Sequence, residues 1–213
     1  MSASLMGSGM NKPVLVFDIG GVLYENIGFD VLQELTGKSA QETRDLWLNC
    51  KTVDLFETGR IGPEEFGNAI VKDLDFDLSP KQFLDEFVTW PKGFYPGAQA
   101  LIAELRKTHT VGCFSNSNVL HWRDEFDAMF DFALASHRIG VAKPKQAAFH
   151  YLKKYLQETV GESSGDIFFF DDSQTNIEAG KKTGLNAILA YEFDELVEVL
   201  DRENIHKSQQ PEA

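Results

Sequence analysis

Six side chains carry the groups from which a reactive site can be built: Asp18, Ser115, Asn116, Lys143, Asp171 and Asp172. They are three carboxylates, a hydroxyl, an amide and one ammonium. Each stands just beyond a short apolar run. Asp18 closes "VLVFD", Ser115 and Asn116 follow "VGCF", and Asp171 and Asp172 follow "IFFF". Lys143 lies in "SHRIGVAKP", after the run "FALA". Carboxylates gathered at one place repel one another and raise each other's pKa, and a bound cation removes that conflict. Oxygen ligands with no nearby His/Cys cluster favour Mg²⁺, which keeps several waters and also contacts substrate phosphate. A metal, a lysine and a hydroxyl around one carboxylate suit phosphoryl transfer. The carboxylate attacks phosphorus, and the positive groups stabilise charge on the transferring oxygens.

These residues converge only if the apolar runs lie side by side. Five runs are candidate strands: Val14–Phe17, Val111–Phe114, Phe132–Ala135, Ile167–Phe170 and Ala187–Ala190. They are continuous rather than alternating, as in strands covered on both faces. Helical spacing appears between and after them, at Ala98, Leu101, Ile102 and Leu105, and at Val119, Trp122, Phe126 and Met129. It recurs at Ala148, Tyr151, Leu152 and Tyr155, and at Phe193, Leu196, Val197 and Leu200. Strand and helix in alternation predict an α/β fold, a doubly wound parallel sheet with helices on both faces. Ligands of such sheets bind beyond the C-terminal strand ends, where all six residues fall.

From about Ile27 to Trp90 no strand-like run occurs. Helical patterns replace it: "DVLQELTG", "AQETRDLWLNCKTVDLF", "PEEFGNAIVKDL" and "SPKQFLDEFVTW". This stretch is too long for one crossover helix and reads as a small helical insertion over 27–90. The core is then 12–26 and 91–206, with "PKGFYPG" as the return linker. Residues 1–11 and 207–213 read as flexible ends.

At 43% hydrophobic content the chain can bury a sizeable core. A formal net charge of −13 makes nucleic acid and anionic membranes poor partners. An anionic substrate would therefore need a local lysine or metal. Two cysteines, Cys50 and Cys113, suggest no disulfide framework, which fits a reducing, cytoplasmic compartment. No apolar run is long enough to span a bilayer, and the N-terminal segment lacks the pattern of a signal peptide.

Four motifs, "VFDIGGVL", "CFSNSN", "VAKP" and "FFFDDSQTNIEAG", stand in an order that resembles the haloacid dehalogenase superfamily of hydrolases. The resemblance implies a Rossmann-like core, with the insertion in the position of a cap. It implies Asp18 as a nucleophile that forms an aspartyl-phosphate, and Ser115 and Asn116 as phosphate ligands. Lys143 would neutralise nucleophile and phosphoryl group. Mg²⁺ would be held by Asp18, Asp171, Asp172 and the Gly20 carbonyl oxygen. The expected function is Mg²⁺-dependent hydrolysis of a small phosphomonoester, a sugar phosphate or similar metabolite. A dehalogenase of the same family needs no metal, and the acidic "DDSQTN" argues against it.

One position departs from the pattern. Many phosphatases of this family carry a second Asp two residues after the nucleophile, where this chain has Gly20. A glycine keeps the carbonyl and permits a tight turn but supplies no proton. Three readings follow: an enzyme whose leaving alcohol has a low pKa, a replacement acid such as Glu25, or a weakly active or binding-only protein. Trp47 and Trp122 read as packing residues, and His121 and His137 as surface groups.

Overall fold

The computed structural model describes residues 12–161 and 166–206; the expected flexible ends lie outside the described residues. β1 (Val14–Phe17) is fully buried because it is the central strand. It pairs in parallel with β4 (Thr110–Ser115) on one side and β6 (Ile167–Asp171) on the other. β5 (Phe132–Ala135) and β7 (Asn186–Leu189) complete the order β5-β4-β1-β6-β7. Side chains of β1 alternate between two apolar layers. Leu15 and Phe17 enter the layer containing α6 (Ala98–Leu105) and α11 (Glu192–Arg202). Val14 and Val16 enter the layer containing α9 (Gln146–Thr159) and α10 (Gln174–Lys182). Both faces are therefore covered, which is why the run is continuous. The chain crosses from one side of β1 to the other between β5 and β6, so the switch point lies at the C-terminal end of β1.

The stretch 27–90 contains five helices: α1 (Gly28–Thr36), α2 (Ala40–Leu48), α3 (Lys51–Glu57), α4 (Pro63–Asp73) and α5 (Pro80–Phe87). They pack around an aromatic core of their own, which includes Trp47, Phe56, Phe66, Phe83, Phe87 and Trp90. Phe56 and Phe66 stack at 4.1 Å. Ser39 and Ser79 start α2 and α5 with capping boxes to Glu42 and Gln82. The pattern expected as one helix over 40–56 is two, because the chain breaks at Asn49 and Cys50.

Other expectations need correcting. "PKGF" is not a plain linker. It forms β3 (Pro91–Phe94), antiparallel to β2 (Tyr24–Asn26), so the two chain crossings to the helical stretch pair with each other. The helix expected from Val119 to Met129 is shortened to α7 (Asp124–Met129), and Val119 is exposed. On α9 the buried face is Ala148, Phe149, Leu152 and Leu156, and Tyr151 points to solvent. His121 is no surface group: its ring stacks on Phe87 at 4.1 Å and its Nε2 lies 2.8 Å from the Phe87 carbonyl. Burial lowers its pKa to about 4, so it is neutral there. His137 is also partly buried. Trp47 and Trp122 are packing residues, as expected, and Cys113 is buried in the core. No described helix is long and apolar enough to cross a membrane.

The turn after α3 rests on the core. Gly59 has φ +69°, and a Cβ there would lie 2.3 Å from the carbonyl oxygen of His137, in α8 (Ser136–Ile139). Gly59→Ala should therefore cost about 1–3 kcal/mol, through backbone strain and a forced shift of the helical stretch from α8. Urea unfolding of the two forms checks this; equal midpoints would contradict it.

Candidate active site

The site is built at three adjacent strand ends. Beyond β1, the Asp18 N–H still donates to the Phe170 carbonyl at 2.8 Å, which carries the ladder one residue further and holds the carboxylate between β4 and β6. Asp18 Oδ1 accepts from the Ile19 N–H at 2.7 Å. The chain then turns tightly, with the Leu23 and Tyr24 N–H groups both donating to the Ile19 carbonyl. The glycine this turn requires is Gly21, not Gly20. Gly21 has φ +76°, and a Cβ on it would sit 2.6 Å from Asp172 Oδ2. At Gly20 a Cβ meets nothing closer than Asn26 Nδ2, at 3.7 Å.

Lys143 occupies the centre, its side chain fully buried. Nζ lies 2.6 Å from Asp171 Oδ2 and 3.1 Å from Asp18 Oδ2, and it donates to the Phe114 carbonyl at 2.8 Å. These three acceptors satisfy the three protons of the ammonium. Burial alone would lower its pKa; Asp171 and Asp18 outweigh burial and hold it above the ordinary lysine value. Burial raises the Asp171 carboxyl to about 6 against the pull of Lys143, so the pair is ionic at neutral pH.

Hydrogen bonds divide the other residues by task. Asn116 Nδ2 donates to the Lys143 carbonyl at 2.8 Å, and its Oδ1 accepts the Lys143 N–H at 2.9 Å. Its side chain is thus committed to positioning Lys143. Asp171 Oδ1 accepts from the Ser173 N–H at 2.8 Å and from Asn176 Nδ2 at 2.9 Å. With Lys143 on Oδ2, both Asp171 oxygens are engaged. Asp172 is not so tied. Burial, then the charges of Asp18 and Asp171, push its carboxyl up to about 7. Ser115 is buried, and its Oγ makes only a long 3.4 Å contact to the Asn116 carbonyl. Ser136 hydrogen-bonds both main-chain groups of Ser117 and fixes the loop after β4. Ser136 carried no signal in sequence, since it acts through a partner brought near only by folding; Asn176 stood within the fourth motif, but its bond to Asp171 was not legible there.

Asp18, Asp171 and Asp172 each offer an oxygen within 4.8 Å of the others. All donors are hard oxygens, and the charges of Asp18 and Asp171 add to burial in raising the Asp172 carboxyl. The residues therefore fit a small divalent cation, with Asp18 and Asp172 best placed to hold it. Glu25, considered as a replacement acid, lies on β2 and is exposed.

Residues 13–184 match a family model described as haloacid dehalogenase-like hydrolase. "Phosphatase MT3486" of Mycobacterium tuberculosis is 27% identical over 198 residues, covering 84% of this chain and 88% of that protein. Two solved structures share the fold. The HAD family enzyme bt-2542 of Bacteroides thetaiotaomicron, in complex with magnesium and inorganic phosphate, superposes with a TM-score of 0.64 at 21% identity. That match covers 84% of this chain and 94% of the other. A predicted HAD-like family hydrolase from Porphyromonas gingivalis gives a TM-score of 0.68 at 18% identity, covering 92% and 99%.

Proposed function

Given that the chain belongs to the haloacid dehalogenase-like hydrolases, we propose that it is a Mg²⁺-dependent phosphatase of small phosphomonoesters, sugar phosphates or similar metabolites, working in the cytoplasm. The observation that carries this reading is the Asp18–Lys143–Asp171 contact with the high-pKa Asp172 beside it. The mycobacterial relative named a phosphatase, and the magnesium and phosphate held by the Bacteroides enzyme, support it.

Asp18 and Asp172, with the Gly20 carbonyl, would hold Mg²⁺, which when bound offsets the negative charge of carboxylates and phosphate. Asp171 is a weaker candidate ligand because Lys143 and Asn176 occupy its oxygens. An Asp18 oxygen attacks phosphorus, the ester P–O bond breaks, and its electron pair leaves with the alcohol oxygen. Lys143 orients Asp18 from 3.1 Å and faces the charge that builds on the phosphoryl oxygens. Ser115 Oγ and the main-chain N–H of Asn116 bind those oxygens. Water then displaces phosphate from Asp18. Residues 27–90 act as a cap that excludes other water.

Assay of a phosphomonoester panel with Mg²⁺ or with chelator, with Asp18→Asn in parallel, tests the reading. Metal-dependent turnover that disappears in Asp18→Asn is expected. Halide release from 2-haloacids that persists in chelator would overturn it in favour of a dehalogenase.

A further inference from the structure

The turn after β1 supplies no proton donor, because position 20 is a glycine. α3 of the helical stretch packs on the segment that carries Lys143. α3 is held on the core at two points on either side of Glu57. Asp54 pairs with Lys145, two residues past Lys143. Gly59 packs its backbone against the His137 carbonyl. Glu57 lies one turn after Asp54 on the same helix face, so it faces the Lys143 segment as Asp54 does. After burial and Asp54, the charges of Asp18 and Lys143 both act on its carboxyl. Among the described residues it forms no ion pair.

We propose that Glu57, reaching over from α3, is the general acid-base of the reaction. This rests on the phosphatase reading. In the first half, Glu57 gives its proton to the leaving oxygen as the ester P–O bond breaks, which releases a neutral alcohol. In the second, the Glu57 carboxylate takes a proton from water while the water oxygen bonds to phosphorus and the Asp18–phosphorus bond breaks. Phosphate leaves, Asp18 is regenerated, and Glu57 again holds its proton.

The surroundings suit this task. Burial, then Asp54 and Asp18, raise the Glu57 carboxyl to about 7, against Lys143 and the Trp47 indole N–H. Burial holds His137 below its ordinary value, so it supplies no cation that would drive Glu57 down. A pKa near the working pH lets one group both give and take a proton.

Glu57→Gln with Mg²⁺ present is the test, on the best alkyl or sugar ester of the panel and on p-nitrophenyl phosphate, whose leaving group needs no proton. Turnover of the alkyl ester should fall about 10²–10⁴-fold. With p-nitrophenyl phosphate the variant should release one equivalent of p-nitrophenol in a burst and then stall, as the aspartyl-phosphate persists. Unchanged turnover of both esters, or equal loss on both without a burst, would overturn the inference while an active wild type leaves the phosphatase reading standing. A wild type that turned over no ester would instead remove that reading itself. Folding is checked separately. A carboxyl whose pKa is raised in the folded state weakens that state as pH climbs from about 4.5 to about 7. Metal-free Glu57→Gln should thus melt increasingly above the wild type across that range.

Discussion

Lys143→Met is expected to lower stability by about 3–5 kcal/mol near neutral pH and to abolish turnover. Methionine matches the length and apolar stem of lysine, and the Phe114 and Phe169 rings that flank Nζ at 5.3 and 5.2 Å would accept it. What is lost is the ammonium between Asp18 and Asp171. Two neighbouring carboxylates, one fully buried, are then left without a counter-ion, and the Phe114 carbonyl loses the ammonium as a donor. Such groups take up protons more readily in the folded than in the unfolded chain, so their penalty fades as pH falls. Urea unfolding at pH 5 and pH 8 should therefore show a much smaller deficit at pH 5. Any activity kept by a folded Lys143→Met would mean that Mg²⁺ alone handles the charge on the phosphoryl group. Equal stability at both pH values would contradict the central place given to the ion pair.

The strands were legible because burial on both faces leaves an uninterrupted apolar run, and "VLVF" and "IFFF" are such runs. β2 and β3 were not. "YEN" and "PKGF" have little strand propensity and exist because two chain crossings lie side by side. The α2–α3 break left no mark, since no Gly or Pro stands at Asn49 or Cys50. Motif residues were recognisable by type and order, but their tasks were not. That Asn116 grips the Lys143 main chain, and that Asp171 pairs with the Lys143 ammonium, depends on partners many residues away. Glu57 reads in sequence as one more helical acid; only the docking of α3 on the 136–145 segment gives it a role. The two glycines after Asp18 look alike in sequence, yet only Gly21 is sterically required.

That difference makes Gly20 a position where chemistry can be added. Gly20→Asp keeps the main-chain carbonyl, has room for its Cβ 3.7 Å from Asn26 Nδ2, and does not demand a left-handed backbone. It places a carboxyl two residues past the nucleophile. If Glu57 already handles the proton, Gly20→Asp alone should change turnover of alkyl esters little. In Glu57→Gln it should recover much of the loss, on the order of 10²-fold, and should abolish the stall with p-nitrophenyl phosphate. The two substitutions would then be strongly non-additive, as expected for groups that do the same task. A fourth carboxyl near Asp18 and Asp172 should also weaken the metal-free fold, so the Gly20→Asp protein should gain more in melting temperature from Mg²⁺ than the wild type does. A large gain from Gly20→Asp in the wild-type background would point the other way: the native site would lack a working acid, and the chain would depend on esters whose alcohols leave without one.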